Sequence, residues 1–199
     1  MDLRKYATHC NEYGFERRKL ISDEVDGGIP MELPKRKPIR LPEYDYSAPG
    51  AYFITICTKD RRCVLSSITV GADAPGGPSL QLTDTGKIVE QYILSADRMS
   101  GFRVDKYVVM PNHIHMILRI DSEAVSPDSG PPRASAPTVS DAVGALKRLA
   151  NRSLGRNIWQ RSFHEHVIRN ESDYREIWEY IDANPAKWVE DRYYEQSEC

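Results

Sequence analysis

The stretch Phe102–Ile120 sets the strongest limit on how this chain can fold. Phe102 to Met110 and His113 to Ile120 are runs rich in β-branched, aromatic and apolar residues, with only Pro111-Asn112 between them. Proline and asparagine are turn formers, so the two runs read as strands of one hairpin. The second run opens His113-Ile114-His115. Side chains two apart on a strand share a face, which sends both imidazoles to the same side of the sheet.

Other elements can be placed around that hairpin. Ala51-Tyr-Phe-Ile-Thr-Ile-Cys-Thr58 is dense in aromatic and β-branched residues and reads as a strand. Leu82-Thr83-Asp84-Thr85 opens a helix on which Ile88, Val89, Tyr92, Ile93 and Ala96 recur at helical spacing. A second helix is expected over Val139–Leu154, with Val143, Leu146, Leu149 and Ala150 inward, and a further strand over Ile158–Ile168. A last helix, capped by Asn170 or Ser172, carries Tyr174, Ile177, Trp178, Tyr180 and Ile181, and Pro185 restricts or kinks it after Asn184. The order strand, helix, strand, strand, helix, strand is that of a ferredoxin-like βαββαβ sandwich, an α+β fold with an antiparallel sheet and helices on one face. Residues 1–34 are charged and weakly patterned and are treated as an extension, 35–190 as the folded unit, and 191–199 as a tail. A Gly/Pro loop is expected over Gly71–Ser79, and a mobile connection rich in Pro, Ser, Gly and Ala over Asp121–Pro137.

Bulk composition narrows the class without naming a function. A chain of 199 residues, 40% hydrophobic and 28% charged, suits one globular domain with extensions. The formal charge of −2 makes no general case for nucleic acid, so any such case is local. Between Asp141 and Arg161 stand five bases (Lys147, Arg148, Arg152, Arg156, Arg161) against one acid. Lys35, Arg36, Lys37 and Arg40 form a second group, and Arg61 and Arg62 follow the first strand. Such groups can neutralise phosphates, and Tyr44, Tyr46, Trp159 and Phe163 among them can stack on bases; solvated helix faces and packed aromatics explain them equally well. Cysteines 10, 57, 63 and 199 form no C-x-x-C pair, which argues against structural zinc and suits a reducing compartment. The N-terminus lacks an apolar signal core and no apolar run approaches ~18 residues, so the expected location is cytoplasmic, with no membrane span.

The chemistry lies in two short strings. Tyr180 and Asn184 of Tyr180-Ile-Asp-Ala-Asn184-Pro185 stand one helical turn apart and project together. Two imidazoles, an amide oxygen and a phenol are the parts needed to hold a divalent metal beside a tyrosine nucleophile. That combination suits the breaking and joining of DNA strands. Each part also has an ordinary reading: H-x-H as a structural pair, a helical tyrosine as core, an asparagine before proline as a helix terminator. His164-Glu165-His166 is a second H-x-H, ranked below the first because Glu165 breaks the apolar alternation. His166 is left open between facing the site and a structural role.

Four strings carry a resemblance. They are Arg40-Leu-Pro-Glu-Tyr-Asp-Tyr-Ser-Ala-Pro-Gly-Ala-Tyr-Phe-Ile-Thr-Ile-Cys-Thr58, Val108-Val-Met-Pro-Asn-His-Ile-His115, Trp159-Gln-Arg-Ser-Phe-His-Glu-His-Val-Ile-Arg-Asn170 and Tyr180-Ile-Asp-Ala-Asn-Pro-Ala-Lys-Trp188. In them the chain resembles the REP-associated tyrosine transposases, of the single-tyrosine HUH superfamily, over roughly residues 36–190. The resemblance implies a ferredoxin-like domain that binds single-stranded or hairpin DNA and cuts it through a 5′-phosphotyrosine. It gives Tyr180 the nucleophile role and makes His113, His115 and Asn184 ligands of Mg²⁺ or Mn²⁺, with the tyrosine helix lying near the histidine-bearing strand. Lys35, Arg36, Lys37, Arg40, Lys147, Arg148 and Arg152 are the expected DNA contacts. The oligomeric state stays open between a monomer and a homodimer that exchanges the tyrosine helix. Two rival readings stand beside this one: a silent DNA- or RNA-binding regulator on the same fold, and a metal-dependent phosphodiesterase using water.

Overall fold

The computed structural model describes residues 44–69, 79–96, 101–121, 138–191 and 193–194. The expected extension over 1–34, the basic group Lys35–Arg40, and most of the 71–79 loop and the 121–137 connection lie outside them. The elements run β1 (Gly50–Cys57), β2 (Ser66–Thr69), β3 (Ser79–Leu82), α1 (Asp84–Ser95), β4 (Phe102–Val109), β5 (His113–Ile120), α2 (Val139–Leu154), β6 (His164–Ile168) and α3 (Glu171–Ala183). Short 3₁₀ turns cover Lys59–Arg61 and Pro185–Glu190.

The main sheet has the order β4-β5-β1-β6, with every neighbouring pair antiparallel. With β2 and β3 set aside as a separate two-stranded hairpin, this is the expected ferredoxin-like α+β arrangement. The hairpin turn is the expected Pro111-Asn112, closed by Met110 N–H donating to the His113 carbonyl at 2.9 Å. Thr58 N–H and Leu65 N–H donate to the Asn112 and Pro111 carbonyls at 2.9 and 3.0 Å, so the turn is tied to the chain that follows β1. α2 begins at a reciprocal Thr138–Asp141 capping box and ends at Gly155 with φ 63, a left-handed position that costs glycine little. Asn170 is the cap of α3, accepting from the Asp173 N–H at 2.9 Å.

Alternation along the strands divides the sheet's two faces. Ile114, Met116, Leu118 and Ile120 of β5 and Tyr52, Ile54 and Ile56 of β1 are buried on one face. Helices α1 and α2 pack on each other and supply Val89, Ile93, Val143, Leu146 and Ala150 to the core. The opposite face, with Phe53, Thr55, His113 and His115, is covered by α3, which contacts β4 and β5. No helix among the described residues is long and apolar enough to cross a membrane.

Four features depart from expectation, the first being Leu149, expected inward on α2 but 40% exposed. The strand expected over 158–168 is ordered as a ladder only at His164–Ile168, with Trp159 making an isolated bridge to Thr58. The Lys147 ammonium donates to the Gln160 and Ser162 carbonyls at 2.9 and 2.8 Å, using acceptors that the ladder would otherwise need. Cys57 is a buried free thiol, but Cys63 is disulfide-bonded, and its partner is not among the described residues. Finally, β4 carries a bulge between Val104 and Lys106.

That bulge fixes α3. Adjacent strand residues normally face opposite sides; an extra residue lets Asp105 and Lys106 both point at α3. Asp105 Oδ2 accepts from Tyr174 Oη at 3.0 Å and from the Arg119 guanidinium at 2.6 and 2.9 Å. The Lys106 ammonium pairs with Asp182 and lies 4.7 Å from the Trp178 ring centroid. Tyr174, Trp178 and Asp182 are spaced one turn apart, so three successive turns of α3 are held. Asp105→Ala removes the acceptor shared by two donors and should lower unfolding free energy by about 1–3 kcal/mol in urea titrations. An unchanged denaturation midpoint would show that the clamp contributes nothing.

Candidate active site

β5 places His113 opposite Cys57 and His115 opposite Thr55 on β1. Their rings lie 4.4 Å apart between centroids, and the residues are 0% and 2% exposed. Burial pushes His113 well below the usual histidine range, aided by its neighbours His115 and Arg61, and pushes His115 down to about 3. Both imidazoles are therefore neutral at neutral pH, the form that ligates a metal.

Hydrogen bonds set which nitrogen each ring presents. Asn112 Nδ2 donates to the Tyr193 carbonyl at 2.6 Å, which turns its Oδ1 toward His113 Nδ1 at 2.8 Å. His113 thus donates from Nδ1 and keeps its lone pair on Nε2, a buried atom with no partner among the described residues. His115 Nδ1 lies 2.8 Å from Thr55 Oγ1, a hydroxyl able to donate or accept, and its Nε2 lies 3.3 Å from the Tyr180 hydroxyl. Such outer hydrogen bonds are the usual means of orienting a ligating imidazole.

α3 supplies the other two side chains. Tyr180 is half-buried, its ring edge-on to Phe53 at 6.0 Å and 5.2 Å from His115. Asn184 caps the helix in an αR conformation although a proline follows, and Pro185 opens the 3₁₀ turn. Its Oδ1 is buried and, like His113 Nε2, has no hydrogen-bond partner among the described residues. Leaving buried polar atoms unsatisfied costs about 1–3 kcal/mol each, so each of the two asks for a partner. A nitrogen donor and a hard oxygen donor suit a divalent cation, and the residues present fit one.

The residues beyond α3 complete the surroundings, and sequence reasoning missed them. Trp188 and Tyr193, both buried, stand 6.0 and 4.6 Å from the His113 ring. One donor atom each from Asp191, His113 and His115 lie within 4.8 Å of one another. Asp191 and Tyr193 fall in what the sequence suggested was a tail; no periodicity crosses Pro185 to signal otherwise. Arg61, at a turn where it and Asp60 both have φ 55, lies over the Tyr193 ring at 5.6 Å.

The remaining expected residues sit apart from this cluster. His166 shares the face of Phe53, its strand partner, and its Nε2 lies 2.8 Å from Asp173 Oδ2, which ties β6 to the first turn of α3. His164 pairs with Thr55 on the same face. Lys147 is engaged with backbone carbonyls as described, while Arg148 and Arg152 are exposed on α2. Lys35, Arg36, Lys37 and Arg40 lie outside the described residues.

Comparison with known proteins agrees with these features. No protein-family model matches the chain. An uncharacterised protein of Haemophilus influenzae is 32% identical over 174 residues, covering 80% of this chain and 93% of that one. The REP-associated tyrosine transposase of Escherichia coli is 29% identical over 147 residues, 72% of each chain. Among solved structures, a REP-associated tyrosine transposase bound to a REP hairpin matches with a TM-score of 0.52 and 28% identity, over 74% of each chain. The chain is thus similar, in sequence and in fold, to the REP-associated tyrosine transposases.

Proposed function

We propose that this protein cleaves and rejoins single-stranded, hairpin-forming DNA of the REP-like palindromic kind, using Tyr180 as a covalent nucleophile beside a divalent cation. The observation that carries this reading is the Tyr180 hydroxyl 3.3 Å from His115 Nε2, together with the buried His113 Nε2 and Asn184 Oδ1, which lack partners among the described residues. His113, His115 and Asn184 would hold Mg²⁺ or Mn²⁺. When bound, such an ion acts as a Lewis acid toward a phosphate oxygen and favours the phenolate over the phenol.

The side chains supply the rest. Phe53 and His115 fix the Tyr180 ring, so its oxygen attacks from a defined direction. A bond forms between that oxygen and phosphorus as the bond from phosphorus to the 3′ oxygen breaks. The phenol proton is lost, the 3′ oxygen leaves as a hydroxyl, and the 5′ end remains as a phosphotyrosine. Attack by another 3′ hydroxyl reverses the linkage, which retains the phosphodiester for transfer. A water-using phosphodiesterase has no need of a phenol at this position, and a silent binder has no need of unsatisfied ligand atoms.

Exposed Arg148 and Arg152, with Lys35, Arg36, Lys37 and Arg40, are proposed to contact phosphates; Lys147 is assigned to the fold instead. The catalytic unit is proposed to be 35–190 extended by the turn through Tyr194, with 1–34 as an extension. Its place of work would be the cytoplasm, on nucleoid DNA.

A labelled single-stranded hairpin with Mg²⁺ or Mn²⁺ should give a protein–DNA adduct that survives SDS, and Tyr180→Phe should abolish it, a loss of at least ~10³-fold. His115 Nε2 has one lone pair, so the hydroxyl and a cation are alternative partners for it. Tyr180→Phe should therefore bind Mn²⁺ at least as tightly as wild type in calorimetry, and normal cleavage by this variant would refute the nucleophile assignment. His113→Ala should weaken Mn²⁺ binding by at least ~10-fold while hairpin binding in EDTA is kept. An unchanged metal response would move the site elsewhere, with His164 and His166 next to test.

A further inference from the structure

The donors assigned above, two imidazole nitrogens and an amide oxygen, carry no negative charge. Mg²⁺ and Mn²⁺ are hard cations that lose water reluctantly and are held in proteins chiefly through carboxylates. A neutral set alone is a weak holder for them. Asp191 supplies the missing charge in the right place. Its carboxylate and the two imidazoles each contribute an atom to a cluster no wider than 4.8 Å. Donors on opposite sides of an octahedral Mg²⁺ stand about 4.2 Å apart, so a few tenths of an ångström of side-chain rotation closes the gap.

The chain around Asp191 is built to keep the carboxylate there. Asp191 N–H donates to the Trp188 carbonyl at 3.0 Å and Tyr194 N–H donates to the Asp191 carbonyl at 2.9 Å. Tyr193 N–H donates to Asp191 Oδ1 at 2.7 Å, and the Tyr193 carbonyl accepts from Asn112, the residue that orients His113. Trp188 and Tyr193, 3% and 2% exposed, wall the site.

We propose that Asp191 is the anionic ligand of the divalent cation, completing a His113, His115, Asn184 and Asp191 set. The cation then links three parts of the chain: strand β5, the end of the tyrosine helix, and the turn beyond Pro185. This rests on the reading of His113, His115 and Asn184 as ligands and is independent of the chemistry at Tyr180.

The test is Mn²⁺ binding to the purified full chain, read by calorimetry and by the metal-induced rise in melting temperature. Asp191→Asn keeps an oxygen to accept from the Tyr193 N–H and removes the charge. It should raise the Mn²⁺ dissociation constant at least ~10-fold and shrink the metal-induced rise, with the metal-free melting temperature unchanged. Unchanged Mn²⁺ affinity overturns the proposal. Should the variant be unstable, wild-type crystals soaked in MnCl₂ decide the matter. An anomalous peak with the Asp191 carboxylate within about 2.4 Å supports the proposal, and a peak at the histidines without it refutes it. Neither measurement uses strand cleavage, so failure of the wild type to form an adduct would sink the functional reading and leave this one standing.

Discussion

The extra residue in β4 is the constraint on which the site's geometry depends. An uninterrupted strand would send Asp105 and Lys106 to opposite faces, and only one could meet α3. The bulge aims both at the helix, where Asp105 takes the Tyr174 hydroxyl and Lys106 pairs with Asp182 and lies against Trp178. Ile177 and Ile181, fully buried, hold the intervening turns. With the helix fixed in rotation and height, Tyr180 and Asn184 fall on the side that meets β5. Two periodicities then coincide: residues two apart on the strand present the imidazoles, and residues four apart on the helix present the phenol and the amide.

Burial gives this cluster its chemical character. Solvent exclusion keeps both imidazoles neutral, and each ring is held by a bond on its other side, to Asn112 in one case and Thr55 in the other. The arrangement costs stability, because His113 Nε2 and Asn184 Oδ1 are buried without partners. A cation that binds only the folded chain offsets that cost by mass action. The same exclusion of water strengthens electrostatic effects at a reacting phosphate.

The framework was readable because it rests on local pattern. The hairpin turn, β5 and α2 fall where Pro111-Asn112, the His113–Ile120 run and the spacing of Val143, Leu146 and Ala150 put them. The histidine pair and the tyrosine–asparagine pair were legible for the same reason, each lying within one regular element. What escaped depends on contacts between elements. The β2–β3 hairpin consists of four-residue strands too short to show a period, steadied by Ser66 Oγ donating to the Val109 carbonyl at 2.8 Å. The bulge at Asp105 appears only once Arg119 and Tyr174 are in place to receive it. Asp191 follows a proline and a 3₁₀ turn, and its approach to His113 is fixed by Asn112 reaching Tyr193, far away in sequence. Lys147 looked like a phosphate contact because its charge is visible in the sequence and its carbonyl acceptors are not.

The most direct test of the account is to map the covalent bond. The protein would be reacted with a hairpin oligonucleotide and Mn²⁺, digested with nuclease and trypsin, and sequenced by tandem mass spectrometry. The account predicts a 5′-phosphonucleotide on the peptide Glu176–Lys187, with the added mass on Tyr180. The mass on another tyrosine, or cleaved DNA with no modified peptide, would contradict it.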